Sequence, residues 1–386
     1  MTNLTRSHSI ESVVGLLPLY ICPFSSLFSD AGPTGSALIS ISAALCGLVF
    51  LLKQKDVVST LRMGWPFVAL ALCYAVSLAG RPSFPGLKHL LAALSIALFF
   101  CFYIQNGWAI RRNPVFLFGA ILAGIAFIIP SLAGVNEKNF DGGMAFYGLS
   151  LALFLILGNK STSSNRGRSM VFTFGVAASL YAVWIDFRML ATYGALLIFL
   201  YAGLSWKPEL TKFYRALLAA LGAMIGAIVF FYANIENSPY LSDVNEFFIR
   251  TTDRSALSGR QILWPAIINA VSDHPWFGLG AGVLPSDIIN TEFSAHNYYL
   301  QVMLQVGLFG LLLAISCIYC IWKALLAPTQ KSASLIFAIS ILIIFILHNA
   351  SEVLMFQNAL RVSIPAWILL FIAASTNIRT SGRLNE

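Results

Sequence analysis

The residues whose types could do chemistry are concentrated in one long polar stretch, residues 250–310. This stretch interrupts a chain that otherwise consists of apolar segments, and it contains three arginines, two histidines and a cluster of glycines. It then continues without a break into an apolar run. If the protein is an enzyme, we expect its chemistry to be organised around this stretch.

His296 is the first residue in this stretch that could act on a substrate. Ser294 has a favourable side chain for capping a helix, and a cap there would place His296 in the first turn. A helix start is electropositive, so it disfavours imidazolium and offers N–H groups to an anion such as phosphate. A neutral histidine there can take a proton from a hydroxyl. Taken alone, the pattern favours a simpler interpretation, a polar residue at a hydrated helix start.

Arg188 lies outside this stretch, in a short polar break between two apolar runs. An arginine in the centre of a membrane span costs roughly 2.5–3.5 kcal/mol on insertion scales. Arg188 must therefore reach the interface, pair with Asp186 or face a polar cavity. Residues two positions apart do not face each other on a helix, which favours a different partner, such as an anionic ligand.

The elements that must position these residues are membrane spans. Of the 386 residues, 58% are hydrophobic and only 10% are charged, and the mean hydropathy is +0.79. Apolar runs of about 20 residues predict transmembrane helices. We expect an all-α polytopic membrane protein with about twelve spans in one domain, residues 1–386. The predicted spans are 10–28, 36–52, 64–80, 88–104, 115–133, 142–158, 169–186, 189–204, 215–232, 297–322, 333–348 and 361–375. A re-entrant segment over 169–204 is an alternative.

Loop charge predicts the orientation. With a cytoplasmic N-terminus, most of the 24 lysines and arginines fall on the cytoplasmic side, as the positive-inside rule requires. Both termini are then cytoplasmic, and residues 233–296 form one long periplasmic loop. The net charge of +8 follows from this topology and from anionic inner-leaflet lipid, so it does not indicate nucleic-acid binding.

The long loop is expected to carry short amphipathic helices. Apolar residues at helical spacing predict one over 261–273, with an apolar face at the membrane surface and an end at His274-Pro275. The residues expected on that face are Ile262, Trp264, Ile267, Ile268 and Val271. Three glycines, Gly278, Gly280 and Gly282, then predict a tight turn. No strand precedes them, so a nucleotide site is not indicated.

All six cysteines lie in apolar runs, where cysteine behaves as a small apolar residue. Cys317 and Cys320 form a C-x-x-C pair on a predicted span, but no second pair accompanies them. We therefore expect no metal site and no disulfide framework.

The combination of these residues resembles the bacterial O-antigen ligase and O-antigen polymerase superfamily. The likeness is sharp over about sixty residues between the ninth and tenth predicted spans, and it extends to Arg188, which precedes a span as the family's arginine does. The residues that carry it in the loop and the tenth span are Gly259, Arg260, Trp264, His274, Pro275, Gly278, Gly280, His296, Asn297, Leu300, Gly307 and Gly310.

The resemblance implies an enzyme of the bacterial inner membrane with a periplasmic active site. Such enzymes move a glycan from undecaprenyl pyrophosphate to an acceptor sugar, and they use neither a nucleotide sugar nor a cofactor. Arg188 and Arg260, with Arg254 as a third candidate, would bind the pyrophosphate through charge-assisted hydrogen bonds. His296 would activate the acceptor hydroxyl, and apolar spans would hold the polyprenyl tail.

Four residues are candidates for supporting roles: His274, Asn297, Glu352 and Arg361. The last two lie on the approach to the twelfth span, where a mutual ion pair is the alternative interpretation.

Three functions are compared. The first is ligation of O-antigen to lipid A core, and the second is polymerisation of the glycan on its lipid carrier, because both activities share these motifs. The third is a twelve-span transporter or flippase. Transporters usually show internal repeats and ionisable residues at mid-membrane, and neither is evident in this sequence. The pattern therefore favours an enzyme.

Overall fold

A computed structural model describes residues 2–27, 32–53, 57–129, 138–158, 164–185, 188–206, 211–235, 241–252, 259–289, 294–327, 332–356 and 360–382. Their regular structure is entirely helical, which confirms the all-α prediction over these ranges. The helices are α1 Thr2–Leu27, α2 Gly32–Lys53, α3 Val57–Met63, α4 Trp65–Gly80, α5 Phe84–Arg112, α6 Pro114–Ala126, α7 Lys138–Leu157, α8 Ser164–Trp184, α9 Arg188–Trp206, α10 Thr211–Asn234, α11 Leu241–Thr252, α12 Arg260–Asp273, α13 Tyr298–Leu326, α14 Ala333–His348 and α15 Leu360–Gly382, with a 3-10 turn at Pro285–Asp287.

Each of the twelve predicted apolar runs overlaps one of these helices within the described residues. By length and composition, five helices within the described ranges can cross a membrane on their own, and the pair α3 and α4, bent by 76°, would make a sixth. Other apolar helices, among them α6 and α14, are shorter. The chain is therefore a helical protein with several membrane-crossing segments, and the count of twelve stays a prediction.

The region 169–204 forms two helices, α8 and α9, that pack against each other in antiparallel orientation. Their backbones approach closely at two glycines, because a Cβ on Gly194 would lie 2.6 Å from the carbonyl oxygen of Gly175. Ser179 Oγ donates to the carbonyl of Ala191 at 3.2 Å. Small residues at such contacts are typical of helix pairs in membranes.

The centre of the bundle is α15, which packs against α1, α5, α7, α13 and α14. Aromatic rings fill the space around it: Phe67 stacks on Phe100 with centroids 4.7 Å apart, and Trp367 stacks on Phe371 at 5.2 Å. By contrast, only 6% of the apolar window of α10 is buried, and this helix packs against α12. Helix α10 therefore lies at the periphery of the bundle.

Helix α13 is broken at Gly307, where φ is 68° and ψ is −166°. The loop that follows α12 fits into this break and forms hydrogen bonds with the backbone groups that the break exposes. These bonds run from Leu279 N to Leu304 O (2.8 Å), from Gly280 N to Gln305 O (3.1 Å), from Leu308 N to Pro275 O (2.7 Å) and from Phe309 N to Trp276 O (3.2 Å). Non-helical backbone at membrane depth is tolerated only when its polar groups are satisfied in this way.

Two glycines make this contact possible. Gly278 and Gly307 both have φ of 68°, a conformation that residues with a side chain rarely adopt. A Cβ on Gly307 would lie 2.3 Å from the carbonyl carbon of Trp276, and one on Gly278 would lie 2.7 Å from the backbone nitrogen of Gly307. The tight turn predicted from the glycine pattern is thus a turn that packs against another helix.

We expect Gly307→Ala to destabilise the protein, because it adds a steric overlap to a backbone conformation that essentially only glycine adopts and that alone costs of order 1–3 kcal/mol. The measurement is the temperature at which the detergent-solubilised protein loses its monodisperse peak. Gly203→Ala in α9 is the control, since a Cβ there meets nothing within 4 Å. If Gly307→Ala and Gly203→Ala lose the peak at the same temperature, the break in α13 does not require glycine.

Candidate active site

His296 and Glu352 form a hydrogen-bonded pair at the centre of the candidate site. The Nδ1 atom of His296 lies 3.2 Å from Oε2 of Glu352, and the two side chains are 32% and 19% exposed. A carboxylate at this distance accepts the Nδ1 proton, so the lone pair of the neutral imidazole is on Nε2. This is the tautomer that a histidine base needs.

The backbone of His296 has φ of 46°, and it is the only residue other than glycine with positive φ in the described part of the chain. This conformation costs of order 1–3 kcal/mol, and such residues are concentrated at functional sites.

The helix that follows His296 begins three residues later than a cap at Ser294 would place it. Its N-cap is Asn297, whose Oδ1 accepts from the backbone N–H of Leu300 at 3.1 Å. Ser294 was the predicted cap, but its Oγ accepts from His296 N at 3.4 Å instead. His296 therefore precedes the helix and does not lie in its first turn. The prediction was wrong because Ser294 and Asn297 are both good capping residues, and tertiary contacts select Asn297.

Asn297 also connects the two segments that carry His296 and Glu352. It is fully buried, and its Nδ2 donates to the carbonyl of Ala350 at 3.1 Å. The next residue continues this link, because Tyr298 N donates to the carbonyl of Asn349 at 2.8 Å. The pair of His296 and Glu352 is therefore held by two hydrogen bonds between backbone segments more than fifty positions apart in sequence.

Asn349 fixes the turn that presents Glu352. Its side chain is fully buried, its Nδ2 donates to the carbonyl of Phe345 at 2.7 Å, and its Oδ1 accepts from Met355 N at 2.9 Å. The backbone N–H of Glu352 donates to the carbonyl of His348 at 2.9 Å. The turn after α14 is thus held on both sides of Glu352.

Arg260 is the first residue of α12, and its Nη2 donates to the carbonyl of Ser351 at 3.1 Å. This contact places the guanidinium beside the segment that carries Glu352. One turn further along the helix, buried Trp264 donates from Nε1 to the carbonyl of Ala295 at 2.9 Å. Helix α12 is therefore bonded to Ser351, which precedes Glu352, and to Ala295, which precedes His296.

The buried face of α12 differs in one respect from the predicted one. Leu263, Trp264, Ile267 and Val271 are buried, whereas Ile262 is 58% exposed. Pro265 lies inside the helix, and the helix ends at His274, as predicted.

Helix α9 contacts the site through Tyr193, whose hydroxyl lies 3.4 Å from Ser351 Oγ. Arg188 begins this helix, five residues before Tyr193, which corresponds to about 7.5 Å along the axis. The side chain of Arg188 lies outside the part that the structure describes, and so does the whole of Arg254. The helix that begins with Arg188 therefore contacts the site, whereas the position of the guanidinium is not described.

The other predicted residues occupy three different positions. His274 is exposed at the far end of α12 from Arg260, roughly 20 Å away at the helical rise per residue. Arg361 is half-buried in the first turn of α15. Glu352 contacts His296, and within the described ranges it forms no ion pair with Arg361. The alternative interpretation of Glu352 and Arg361 as a mutual pair is therefore wrong.

An apolar groove of about 330 Å³ opens beside the start of α13. It separates α10 from α13 and α14, and we call it the α10 groove. Its lining includes Tyr299 and Leu300, which lie in the first turn of α13, and Gly222 and Gly226 of α10. The groove thus begins close to His296 and continues along two apolar helices.

Sequence reasoning missed the residues that hold the site together: Tyr193, Trp264 as a donor to Ala295, Asn349 and Ser351. The signal available was the position of two asparagines: Asn297 at the start of one apolar run and Asn349 just after another. A buried amide at such a point must find backbone partners.

Comparison with known proteins supports the resemblance. Residues 167–315 match the family model described as O-antigen ligase, and no curated protein matches the chain. The match runs from α8 to the middle of α13, so it includes Arg188, Arg260 and His296. Glu352 lies beyond it, and only the fold brings this residue to the histidine.

We expect Asn297→Asp to keep the cap of α13 and to break the link to Ala350. Aspartate still accepts from Leu300 N, which retains a cap energy of about 1 kcal/mol. Its buried carboxylate cannot donate to the carbonyl of Ala350, so both activity and thermal stability should fall. The measurements are thermal stability in detergent and the activity proposed below. Asn113→Ala is the control, because Asn113 caps α6 through Val115 N. This control should lose stability and keep activity; the same activity loss in both variants would contradict a specific role for the link to Ala350.

Proposed function

Because the O-antigen ligase domain occupies residues 167–315, we propose that this membrane protein is a glycosyltransferase that moves a glycan from undecaprenyl pyrophosphate to a sugar of lipid A core. The observation that supports this best is the pair of His296 and Glu352, with Arg260 bound to the adjacent carbonyl and an apolar groove beside it. Base, cation and lipid-binding surface are thus in one place.

In the proposed reaction, the acceptor hydroxyl oxygen bonds to the anomeric carbon of the glycan. The bond from that carbon to the pyrophosphate oxygen breaks, and the pyrophosphate leaves with the electron pair. The hydroxyl proton passes to Nε2 of His296, and the Glu352 carboxylate stabilises the resulting imidazolium through Nδ1. The step is balanced without a metal ion or a second co-substrate.

Arginines stabilise the leaving group. The pyrophosphate gains charge as its bond to the sugar breaks, and each charge-assisted hydrogen bond contributes about 1.5–3 kcal/mol. The contact of Arg260 with Ser351 supports this role for Arg260, because it holds the guanidinium beside the segment that carries Glu352. Arg188 is proposed as its partner because α9 contacts the same serine through Tyr193, and Arg254 is proposed from its sequence position.

The α10 groove is proposed to hold the polyprenyl tail of the donor. It is lined by apolar side chains from three helices, and glycines along α10 widen it. The peripheral position of α10 opens the groove toward lipid, so the donor can enter sideways from the bilayer. A periplasmic location of the site follows from the charge distribution of the loops.

Polymerisation of the glycan on its lipid carrier is the second candidate, since the same residues would serve it. A deletion strain separates the two on a lipopolysaccharide gel. Core without any glycan identifies a ligase, core with a single repeat unit identifies a polymerase, and normal laddering would contradict both.

We expect plasmid-borne wild-type protein to restore the missing glycan in that strain, and His296→Ala to fail, with a rate lowered about 10²–10⁴-fold by loss of the base. Arg260→Ala and Arg188→Ala should also fail, while Glu352→Gln should retain more activity than His296→Ala because it keeps the base. His274→Ala is the control, since the structure places His274 away from the site. Equal insertion is checked by immunoblot of membranes, and full laddering with His296→Ala would remove this residue from the mechanism.

We expect Gly222→Phe to raise the KM for the lipid-linked donor by about tenfold, because a ring in the α10 groove displaces part of the polyprenyl chain. A Cβ on Gly222 meets nothing within 4 Å, so a side chain can leave the backbone there without an overlap at its first atom. Gly203→Phe is the matched control, as its Cβ position is equally open and lies outside the groove. An unchanged KM in Gly222→Phe would place the tail elsewhere.

A further inference from the structure

A second apolar groove, of about 490 Å³, lies on another side of α13, and we call it the α4 groove. One wall is a face of α4 that includes Leu72 and Val76, and the other is formed by the loop Phe277–Gly280 together with Phe309. Several of these side chains are well exposed, with Val76 at 74% and Phe277 at 72%. The groove is therefore an open apolar surface and not a closed core cavity.

Arg81 lies at one end of this groove, immediately after α4. It is exposed, and its Nη1 donates to the carbonyl of Leu279 at 3.0 Å, which holds the guanidinium against the groove wall. A guanidinium has several N–H donors in a planar fork, so one such bond leaves donors that can bind a phosphate. The groove thus combines a long apolar floor with a positive charge at one end, which is the pattern complementary to an anionic lipid.

The two grooves share α13 as a common wall. Phe309 lines the α4 groove and Leu311 lines the α10 groove, and two positions along a helix correspond to about 200° around its axis. His296 lies just before the first residue of this same helix. A single helix therefore separates two lipid-sized grooves and begins at the proposed base.

We infer that the α4 groove holds an acyl chain of the lipid-anchored acceptor, with a phosphate of its anchor bound to Arg81. This inference rests on the proposed function, because a reaction between two membrane-anchored substrates needs a second apolar site in addition to that of the donor. Lipid A has the required chemistry: its phosphates lie next to its acyl chains, and the sugars to be extended project away from them.

Direct binding tests this assignment without reference to catalysis. The probe is bisphosphorylated lipid A added to the purified full-length protein in detergent, with binding measured by native mass spectrometry. We expect Val76→Trp, which fills the groove, and Arg81→Gln, which removes the charge, each to weaken binding about tenfold. The matched controls are Leu180→Trp, on an exposed position of α8 outside both grooves, and Arg62→Gln, an exposed arginine of α3. Both should bind as the wild type does.

Undecaprenyl phosphate is the second probe. Its binding should be weakened by Gly222→Phe and not by Val76→Trp. If Val76→Trp weakens undecaprenyl phosphate instead of lipid A, the α4 groove is a donor site and the inference is wrong. Equal lipid A binding by all variants, or a change from dimer to monomer in Val76→Trp, would also overturn it, the latter in favour of an interface between copies of the chain.

An activity measurement separates failure of this inference from failure of the proposed function. Wild-type transfer is compared between core attached to lipid A and core oligosaccharide freed from it. We expect the ratio of kcat/KM for the anchored over the free acceptor to fall about tenfold in Val76→Trp. Absence of transfer to either acceptor by the wild type would contradict the proposed function. Normal transfer with an unchanged ratio in Val76→Trp would contradict only the acceptor groove.

Discussion

The four hydrogen bonds between the break in α13 and the loop after α12 are the contact on which the rest of the site depends. A helix inside a membrane cannot leave backbone groups unpaired, because no water is present to bind them. The break at Gly307 creates such groups, and the loop Pro275–Gly280 satisfies them. The position of the loop is therefore dictated by α13, and the position of α12 follows from that of its loop. Helix α12 carries Arg260, so the break at Gly307 determines where this arginine lies.

A second set of contacts holds the segments that carry His296 and Glu352 together. The buried side chain of Asn297 caps α13 and connects its start to the turn after α14, and the buried side chain of Asn349 holds that turn through Phe345 and Met355. Buried amides are costly unless every group is paired, so they tolerate few alternative arrangements. The geometry of His296 and Glu352 is thus set by amide groups that are not proposed to react. Such support by neighbouring residues is what keeps catalytic groups within bonding distance.

The helices could be predicted from the sequence, because apolar runs of membrane length leave few alternatives to a helix. It also indicated His296 and Arg260, whose types are rare among the apolar segments. It was insufficient for the partner of His296, since Glu352 lies 56 positions away and an equally simple pairing with Arg361 was available. It also placed the cap at Ser294, because local propensity could not distinguish two capping residues three positions apart. Both errors concern contacts between distant segments, which periodicity does not report.

The link between Asn297 and Ala350 has a consequence for biogenesis. Synthesis proceeds from the N-terminus, so residues 349–352 are made after α13. Until they emerge from the ribosome, Glu352 cannot pair with His296, and α15 cannot occupy the centre of the bundle. The pair of His296 and Glu352 is therefore completed late in synthesis, and a chain truncated before residue 349 would lack it even though it contains all of residues 167–315, which match the O-antigen ligase model.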